Sequence, residues 1–515
     1  MLPTRRQLLR AVAASAMAAA VAPGRARAGE PRFVGYPFTL GVASGYPTPA
    51  GVTLWTRLAP APLDPDGGMP PVAVEVKFEV AEDPSFSRPV ASGATWAFPE
   101  HAHSARVDVP GLMPGRWYFY RFHAGRETSP VGRTRTADAP GTMPAKLRFG
   151  VGSCQHYEQG YYAAHRHLLA ESLDLFLFVG DYIYESSWGN NLVRAHHGDE
   201  TFTLADYRVR YAQYRVDPDL QRLHAGVPWA VIWDDHEVAN DWAADQSEHL
   251  DPAFLARRSA AFQAYFEHMP LPSGRRLSHG AGRIYDSVAF GDLAQVYLCD
   301  DRQYRSPQPC PDPAEGGGSW RLPRSSCAYL DDPKRTMLGA EQSQWLDSVF
   351  SQQRHVWNVL AIQTPLAPTA TGSGPDRVIW TDGWDGYPSA RKLLLDRMVK
   401  RKVTNPLFVA GDVHSAIVSD IHADPDDPTT PIVATEVCGT SISSQGGSKA
   451  ESAVLAAQPH VRYANGWQRG YTVVELQRSH ANVTLRTVDE KNRESEVEPA
   501  VRFTIEVGKT GVTPG

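Results

Sequence analysis

Two textures of hydrophobic patterning divide the chain. Between residues 30 and 140, apolar and polar positions alternate at period two over short runs. Gly51–Leu58, Val72–Val80 and Ser104–Leu112 each read as half-buried strands. A Pro114–Gly115 turn precedes a further strand carrying Trp117, Tyr118, Phe119 and Tyr120, aromatics that fit a packed β-sandwich better than a carbohydrate-stacking surface. Residues 137–146 hold two prolines and a glycine without periodicity and read as a linker. Beyond it, continuous apolar runs bounded by turns alternate with helical segments. Leu147–Cys154, Asp174–Glu185, Pro228–Glu237, His355–Pro365 and Asn405–Ser415 predict buried strands. In residues 339–353, Trp345, Leu346, Val349 and Phe350 fall on one helical face. Strand–loop–helix alternation predicts an α/β domain over 147–505 behind a sandwich over 30–140.

The first 28 residues change the reading of composition. The 515-residue chain has 51 basic and 57 acidic residues, a net charge of −6, and 42% hydrophobic content. It has no strictly apolar run long enough for a polytopic membrane protein, and its acidity argues against general nucleic-acid binding. Met1–Ala28 carries the Arg5–Arg6 pair, an apolar run over Ala11–Ala22 interrupted by Ser15, and Ala26-Arg27-Ala28. That order predicts an export signal, and the paired arginines resemble a bacterial twin-arginine (Tat) signal. Tat machinery exports folded proteins, which predicts a periplasmic or secreted location without stable membrane insertion. Removing residues 1–28 deletes five arginines, leaving 46 basic against 57 acidic residues, a net charge of −11. In an oxidising compartment, Cys310 and Cys327, which bracket a Pro/Gly-rich stretch, are expected to pair. Cys154 is expected to remain a thiol.

The apolar strands end in chemistry. Four of them terminate in Ser153-Cys154-Gln155, Gly180-Asp181-Tyr182-Ile183-Tyr184-Glu185, Trp233-Asp234-Asp235-His236-Glu237 and Gly411-Asp412-Val413-His414-Ser415. The C-terminal edge of such strands is where α/β proteins place ligands. Carboxylates gathered there repel one another unless cations neutralise them, and no Lys or Arg occurs inside these four motifs. Metal binding is the expected function. Thiolate and phenolate suit a trivalent iron, while carboxylate and amide oxygens suit a harder divalent ion. Two neighbouring cations can activate water and hold a phosphoryl oxygen.

Three of these blocks resemble the signature motifs of calcineurin-like metallophosphoesterases: Gly180-Asp181 with Tyr184, Asp234 to Glu237, and Gly411-Asp412 with His414. Cys154 stands where that superfamily carries an Asp-x-His motif, and Asp412 replaces a histidine. With the twin-arginine signal and the leading sandwich, these departures resemble the alkaline phosphatase D (PhoD-type) family over essentially residues 1–500. The resemblance implies two packed mixed β-sheets flanked by helices, preceded by a fibronectin type III/Ig-like sandwich. It also implies Fe(3+) with Ca(2+). Asp181 would bridge the metals, with Cys154, Tyr184 and His414 on the iron side; Tyr182 breaks the motif spacing. Asp235, Asn240 and Asp412 would lie on the calcium side, with Asp241 an alternative to Asn240. His236 would act as proton donor or oxyanion stabiliser. Arg302 or Arg305 would clamp phosphate, unless Asp300 and Asp301 pair with them.

The implied activity is hydrolysis of phosphomonoesters, extending to phosphodiesters, by in-line attack of a metal-bound hydroxide or oxide. The alternatives are a phosphodiesterase or phospholipase D-like enzyme acting on lipid or polymer diesters, and a secreted binding protein with an inactive metal site. Purple acid phosphatases share the Gly-Asp-x-x-Tyr block, but Cys154 and Asp412 do not fit their ligand set.

Overall fold

The computed structural model describes residues 32–275, 277, 282–312 and 317–515; the export signal expected at 1–28 lies outside them. The larger of two principal sheets has ten strands. Their order is Thr513–Pro514, Val501–Glu506, His480–Val488, Arg469–Gln477, Lys146–Gly152, Leu175–Phe178, Trp229–Val231, Val42–Thr48, Gly51–Arg57 and Ser104–Pro110. Lys146–Gly152, Leu175–Phe178 and Trp229–Val231 run parallel, so their C-terminal ends share one edge. The second sheet has seven strands, in the order Asp286–Phe290, Ala294–Leu298, Trp357–Ala361, Pro406–Ala410, Ile432–Cys438, Ala416–His422 and Val461–Asn465.

The period-two pattern decides how these layers stack. Val359 and Ala361 join Phe149, Leu177 and Val231 in the core between the two sheets. Leu360 and Ile362, on the opposite face of the same strand, pack with Leu346, Phe350 and Leu395. These last come from the helices Gly339–Ser351 and Pro388–Arg401, which cover that face. The fold is mixed α/β with a small leading β domain, as the strand and helix patterns predict. No helix among the described residues is long and apolar enough to cross a membrane.

The leading sandwich shares a sheet with the main body. Pro89–Ala97, Val74–Ala81, Trp117–Ala124, Glu127–Thr128 and Gly132–Arg135 form a separate sheet, with Gly132–Arg135 paired to Trp117–Ala124. It buries Val76, Val80, Tyr118, Tyr120 and Phe122 against Val52 and Leu54. Val52 and Leu54 belong to the ten-stranded sheet, which Val42–Thr48 joins through a parallel pairing of Gly45 with Trp229. A Cβ at Gly45 would stand 2.6 Å from Pro270 O and 2.7 Å from Trp229 O, so only glycine permits this approach. Tyr46 Oη donates to Val231 O at 2.6 Å and Trp55 Nε1 to Glu267 O at 2.8 Å, fastening the junction. Cys310 and Cys327 form a disulfide, while Cys154, Cys299 and Cys438 are buried thiols.

Candidate active site

Four strand ends converge, three from the ten-stranded sheet and that of Pro406–Ala410 from the seven-stranded sheet, and the backbone is strained where they do. Cys154, Asp181, Asp412 and His414 adopt left-handed φ values of 56°, 59°, 65° and 52°. Such conformations cost about 1–3 kcal/mol each in non-glycine residues and persist only where the surroundings enforce them. Cys154 N donates to Gly180 O and Gln155 N to Asp181 O, both at 3.1 Å, linking neighbouring strand ends. The buried Glu237 carboxylate accepts from Asp181 N at 3.0 Å, Tyr182 N at 2.6 Å and Asp234 N at 2.8 Å. Gly180 has φ 114°, and a Cβ there would fall 2.3 Å from Asp234 Cβ. The backbone thus holds the side chains in place.

On one side, four lone-pair donors converge. Ligand atoms of Cys154, Asp181 and His414 lie within 4.8 Å of one another. Tyr184 Oη is 2.9 Å from Asp181 Oδ2 and 3.0 Å from His414 Nε2. His414 Nδ1 donates to the Gln445 carbonyl at 2.6 Å, which fixes the tautomer and turns the Nε2 lone pair toward Tyr184. One phenolic proton therefore faces two acceptors. Burial, with Arg469 nearby, lowers the His414 pKa to about 3. Burial and the Asp181 charge push the Cys154 thiol and the Tyr184 phenol well above their usual ranges.

On the other side carboxylates crowd. Asp234, Asp235 and Asp412 bring oxygens within 4.8 Å of one another, as do Asp181 and Asp235 with a nitrogen of His236. Asp181 Oδ1, Asp235 Oδ1 and Asp412 Oδ2 are buried without a hydrogen-bond partner among the described residues. Burial, reinforced by neighbouring aspartates, raises the Asp181 and Asp412 pKa values well above the carboxylate range. Burial also opposes ionisation of Asp235, but Arg302 and His236 outweigh it and hold this carboxyl below its usual range. Like-charged orphan oxygens beside thiol, phenol and imidazole donors fit two cations, one with mixed S, O and N ligands and one oxygen-rich.

His236 stands over the same opening, which also exposes Ser186, Trp188, Asn240, Trp380, Asp412 and His414 in a cleft of about 420 Å³. Its Nδ1 donates to Glu185 Oε2 at 2.7 Å, and its ring lies 4.1 Å from that of Tyr184. Burial disfavours charging this imidazole, yet Glu185, Asp235 and Asp181 prevail and keep it protonated well above its ordinary pKa.

Comparison with known proteins agrees with this geometry. The family described as PhoD-like phosphatase matches residues 149–485, and that described as PhoD-like phosphatase, N-terminal domain, matches residues 24–138. The chain belongs to the PhoD-like phosphatase family. It is 42% identical over 455 residues to alkaline phosphatase D of Bacillus subtilis (strain 168), covering 86% of this chain and 76% of that protein. A solved structure of PhoD superposes with a TM-score of 0.89 at 39% identity, covering 94% of this chain and 93% of the other. The protein is accordingly a phosphoric ester hydrolase of the phosphatase class.

Within this PhoD-like site the remaining candidates separate. Asn240 lines the cleft, and its Nδ2 donates to Glu248 Oε2 at 2.8 Å, leaving the amide oxygen available. Asp241 also reaches the cleft, but its backbone N–H donates to Asp235 and its carboxylate accepts from Ser319. The Tyr182 hydroxyl pairs with His224 Nε2 at 2.9 Å, away from the site. Arg302 and Arg305 do not reach the cleft surface. Arg302 is fully buried behind it, pairing with Asp234, with Asp382 at 2.6 Å and with Asp412 at 3.5 Å. Arg305 pairs with Asp382 and donates to Trp242 O at 2.7 Å. Asp300 instead accepts from Trp233 Nε1 and backbone N–H groups, and Asp301 from Thr364 N.

Glu185, Glu237, Asp382, Ser444 and Trp188 were not singled out by sequence reasoning. The two glutamates sit inside recognised blocks, so their position was a usable signal. Asp382 follows the short strand Val378–Trp380 and Ser444 lies in the loop after Ile432–Cys438, neither with a local mark. Ser444 Oγ is 2.8 Å from Tyr184 Oη, and Trp188 lies parallel to the His414 ring at 5.9 Å. Behind Tyr184 lies a second buried cluster, His156, Glu158 and His196, with ligand atoms also within 4.8 Å of one another.

Proposed function

We propose that this chain is a Tat-exported, two-metal phosphoric ester hydrolase acting on phosphomonoesters and phosphodiesters. Fe(3+) would be held by Cys154, Asp181, Tyr184 and His414, and Ca(2+) by Asp181, Asp235, Asn240 and Asp412. The observation that carries this reading is the set of orphaned, buried carboxylate oxygens beside three further donors sharing too few protons. When bound, such a pair of cations supplies charge neutralisation at phosphate and an activated water.

The chain's own residues do the rest. Glu185 orients His236 by accepting from Nδ1, which leaves Nε2 directed away from that bond to protonate a departing alkoxide. The raised pKa of His236 suits an acid that must keep its proton until the ester bond lengthens. Arg302 holds Asp234, Asp382 and Asp412 from behind, a positioning role in place of the phosphate clamp expected from sequence. Trp188 and Trp380 bound the cleft.

The decisive experiment is to purify the exported protein, determine its metals by elemental analysis, and compare hydrolysis of a phosphate monoester with that of a diester. Iron and calcium together, with turnover of both esters, are expected. Zinc as the sole metal overturns the ligand assignment, and exclusive diester cleavage overturns the monoesterase reading. Lysine replacement of both Arg5 and Arg6 is expected to retain the protein in the cytoplasm.

A further inference from the structure

The four donors on the sulfur-bearing side of the cleft differ in how solvent reaches them. Cys154 and Tyr184 are buried, and Asp181 lies in the cleft floor with 1% of its surface exposed. His414 is half-buried and lines the opening. Ligands let go of a cation one bond at a time, and water or a competing chelator replaces first the donor it can touch. His414 is therefore the weak point of this side. What lies on its ring controls how long a cation stays, because the outer shell of a metal site sets solvent access to it.

Trp188 lies on that ring. The indole and imidazole planes differ by 4° with centroids 5.9 Å apart, and the indole also meets His156 edge-on at 5.3 Å. No helix or strand carries Trp188; two glutamines hold its loop. Gln159 Nε2 donates to Trp188 O at 2.8 Å, and Gln159 Oε1 accepts from Gln445 N at 2.6 Å. Gln445 Oε1 accepts from Asn190 N at 3.0 Å, and its Nε2 donates back to Asn190 O. Between these anchors Gly189 has φ 98°. A Cβ there would stand 2.6 Å from Gln159 Nε2 and 2.8 Å from Gln445 Oε1, so only glycine lets the loop settle on both amides. The Gln445 carbonyl is also the acceptor for His414 Nδ1. One residue thus fixes the imidazole through its backbone and the tryptophan above it through its side chain.

We propose that Gln159 and Gln445 are positioning residues that hold Trp188 as a cover on His414 and so retard escape of the cation on the Cys154 side. The proposal rests on the ligand assignment above and adds what retains the metal once bound. Metal-loaded protein is mixed with excess EDTA and desalted at intervals, and its iron is measured by elemental analysis. Calcium affinity is measured separately by equilibrium dialysis. Gln445→Ala keeps the carbonyl that accepts from His414 and loses only the side-chain amide, whereas Trp188→Ala removes the cover itself. Each is expected to release iron about 10- to 100-fold faster, the usual affinity cost of losing an outer partner expressed in the release rate. Calcium affinity and the Tm of the unchelated protein are expected to stay unchanged. Trp188→Phe, which retains an aromatic ring, is expected to restore slow release.

Iron release from both variants as slow as from the unsubstituted protein overturns the cover. So does faster release accompanied by an equal loss of calcium affinity or a large fall in Tm, since the whole cleft has then loosened. Fast release from Trp188→Phe overturns the stacked ring as the barrier. Absence of iron from the unsubstituted protein overturns the ligand assignment, and the cover with it.

Discussion

The cleft and the cluster behind Tyr184 are built from the same residue types, yet their proton arrangements differ. In the rear cluster Glu158 N donates to His156 Nδ1 at 3.2 Å, so His156 Nε2 carries the proton. Tyr214 Oη accepts from Tyr157 N and Tyr184 N, both at 3.1 Å, and therefore gives its own proton to His196 Nε2 at 3.0 Å. That leaves His196 Nδ1–H facing Glu158 Oε2 at 3.4 Å. The orphan atoms here, His156 Nε2 and Glu158 Oε2, are a donor and an acceptor. In the cleft the orphans belong instead to crowded carboxyl groups, those of Asp181, Asp234, Asp235 and Asp412. Burial keeps both rear imidazoles neutral, His196 down to about 2, whereas His236 in the cleft is held protonated. A metal site is thus recognised by crowded carboxyl groups without partners, and residue identity alone is a poor guide.

Substitutions can test that contrast. Cys154→Ala or Asp181→Asn is expected to abolish iron binding and reduce hydrolysis to background, read by elemental analysis beside a steady-state assay. Full iron with retained turnover would place the metal on other ligands. His236→Ala leaves the metals in place and is expected to lower kcat by about 10²–10⁴-fold. Unchanged kcat would remove the general acid.

Chelation tests the carboxylates as a group. In the metal-free fold Asp181 and Asp412 keep protons that the unfolded chain releases above a pH of about 4. At these two groups the fold binds more protons than the unfolded chain, so their contribution to the stability of the chelated protein, read as Tm, should fall as pH rises from 5 to 8, against the opposite contribution of the buried neutral histidines. Readdition of metal should flatten that slope. An identical slope with and without metal would show that no cation occupies the cleft. The smallest effect is expected in the rear cluster. Glu158→Gln should cost about 1–3 kcal/mol of stability through one weakened buried hydrogen-bond acceptor, with metal content and kcat intact.

Much of this was readable from the chain. Period-two runs located Gly51–Arg57 and Val74–Ala81, and buried runs located Leu175–Phe178 and Pro406–Ala410, because side-chain alternation is a local property; Gly51–Arg57, expected half-buried, is buried on both faces because a second sheet packs against it. The strand-end blocks placed Cys154, Asp181, Tyr184, Asp235, Asp412 and His414 beyond the C-terminal ends of their strands for the same reason, although those strands lie in two sheets. What escaped was non-local. That Val42–Thr48 extends the larger sheet depends on a contact with Trp229 far along the chain. That Arg302 faces Asp382, eighty residues later, and not its neighbours Asp300 and Asp301, depends on how a long loop folds back. Adjacent charges in sequence suggested an ion pair that backbone direction forbids.

The strand Arg469–Gln477 lies directly beside Lys146–Gly152, the strand that presents Cys154. Arg469 also donates to His414 O at 2.8 Å and to Ser444 O at 2.9 Å, reaching the loops that set both His414 and Tyr184. This strand follows Cys154 by more than three hundred residues, and closing so long a loop is slow compared with helix or hairpin formation. The backbone around Cys154 and His414 is therefore completed late in folding, after the local helices and hairpins have formed.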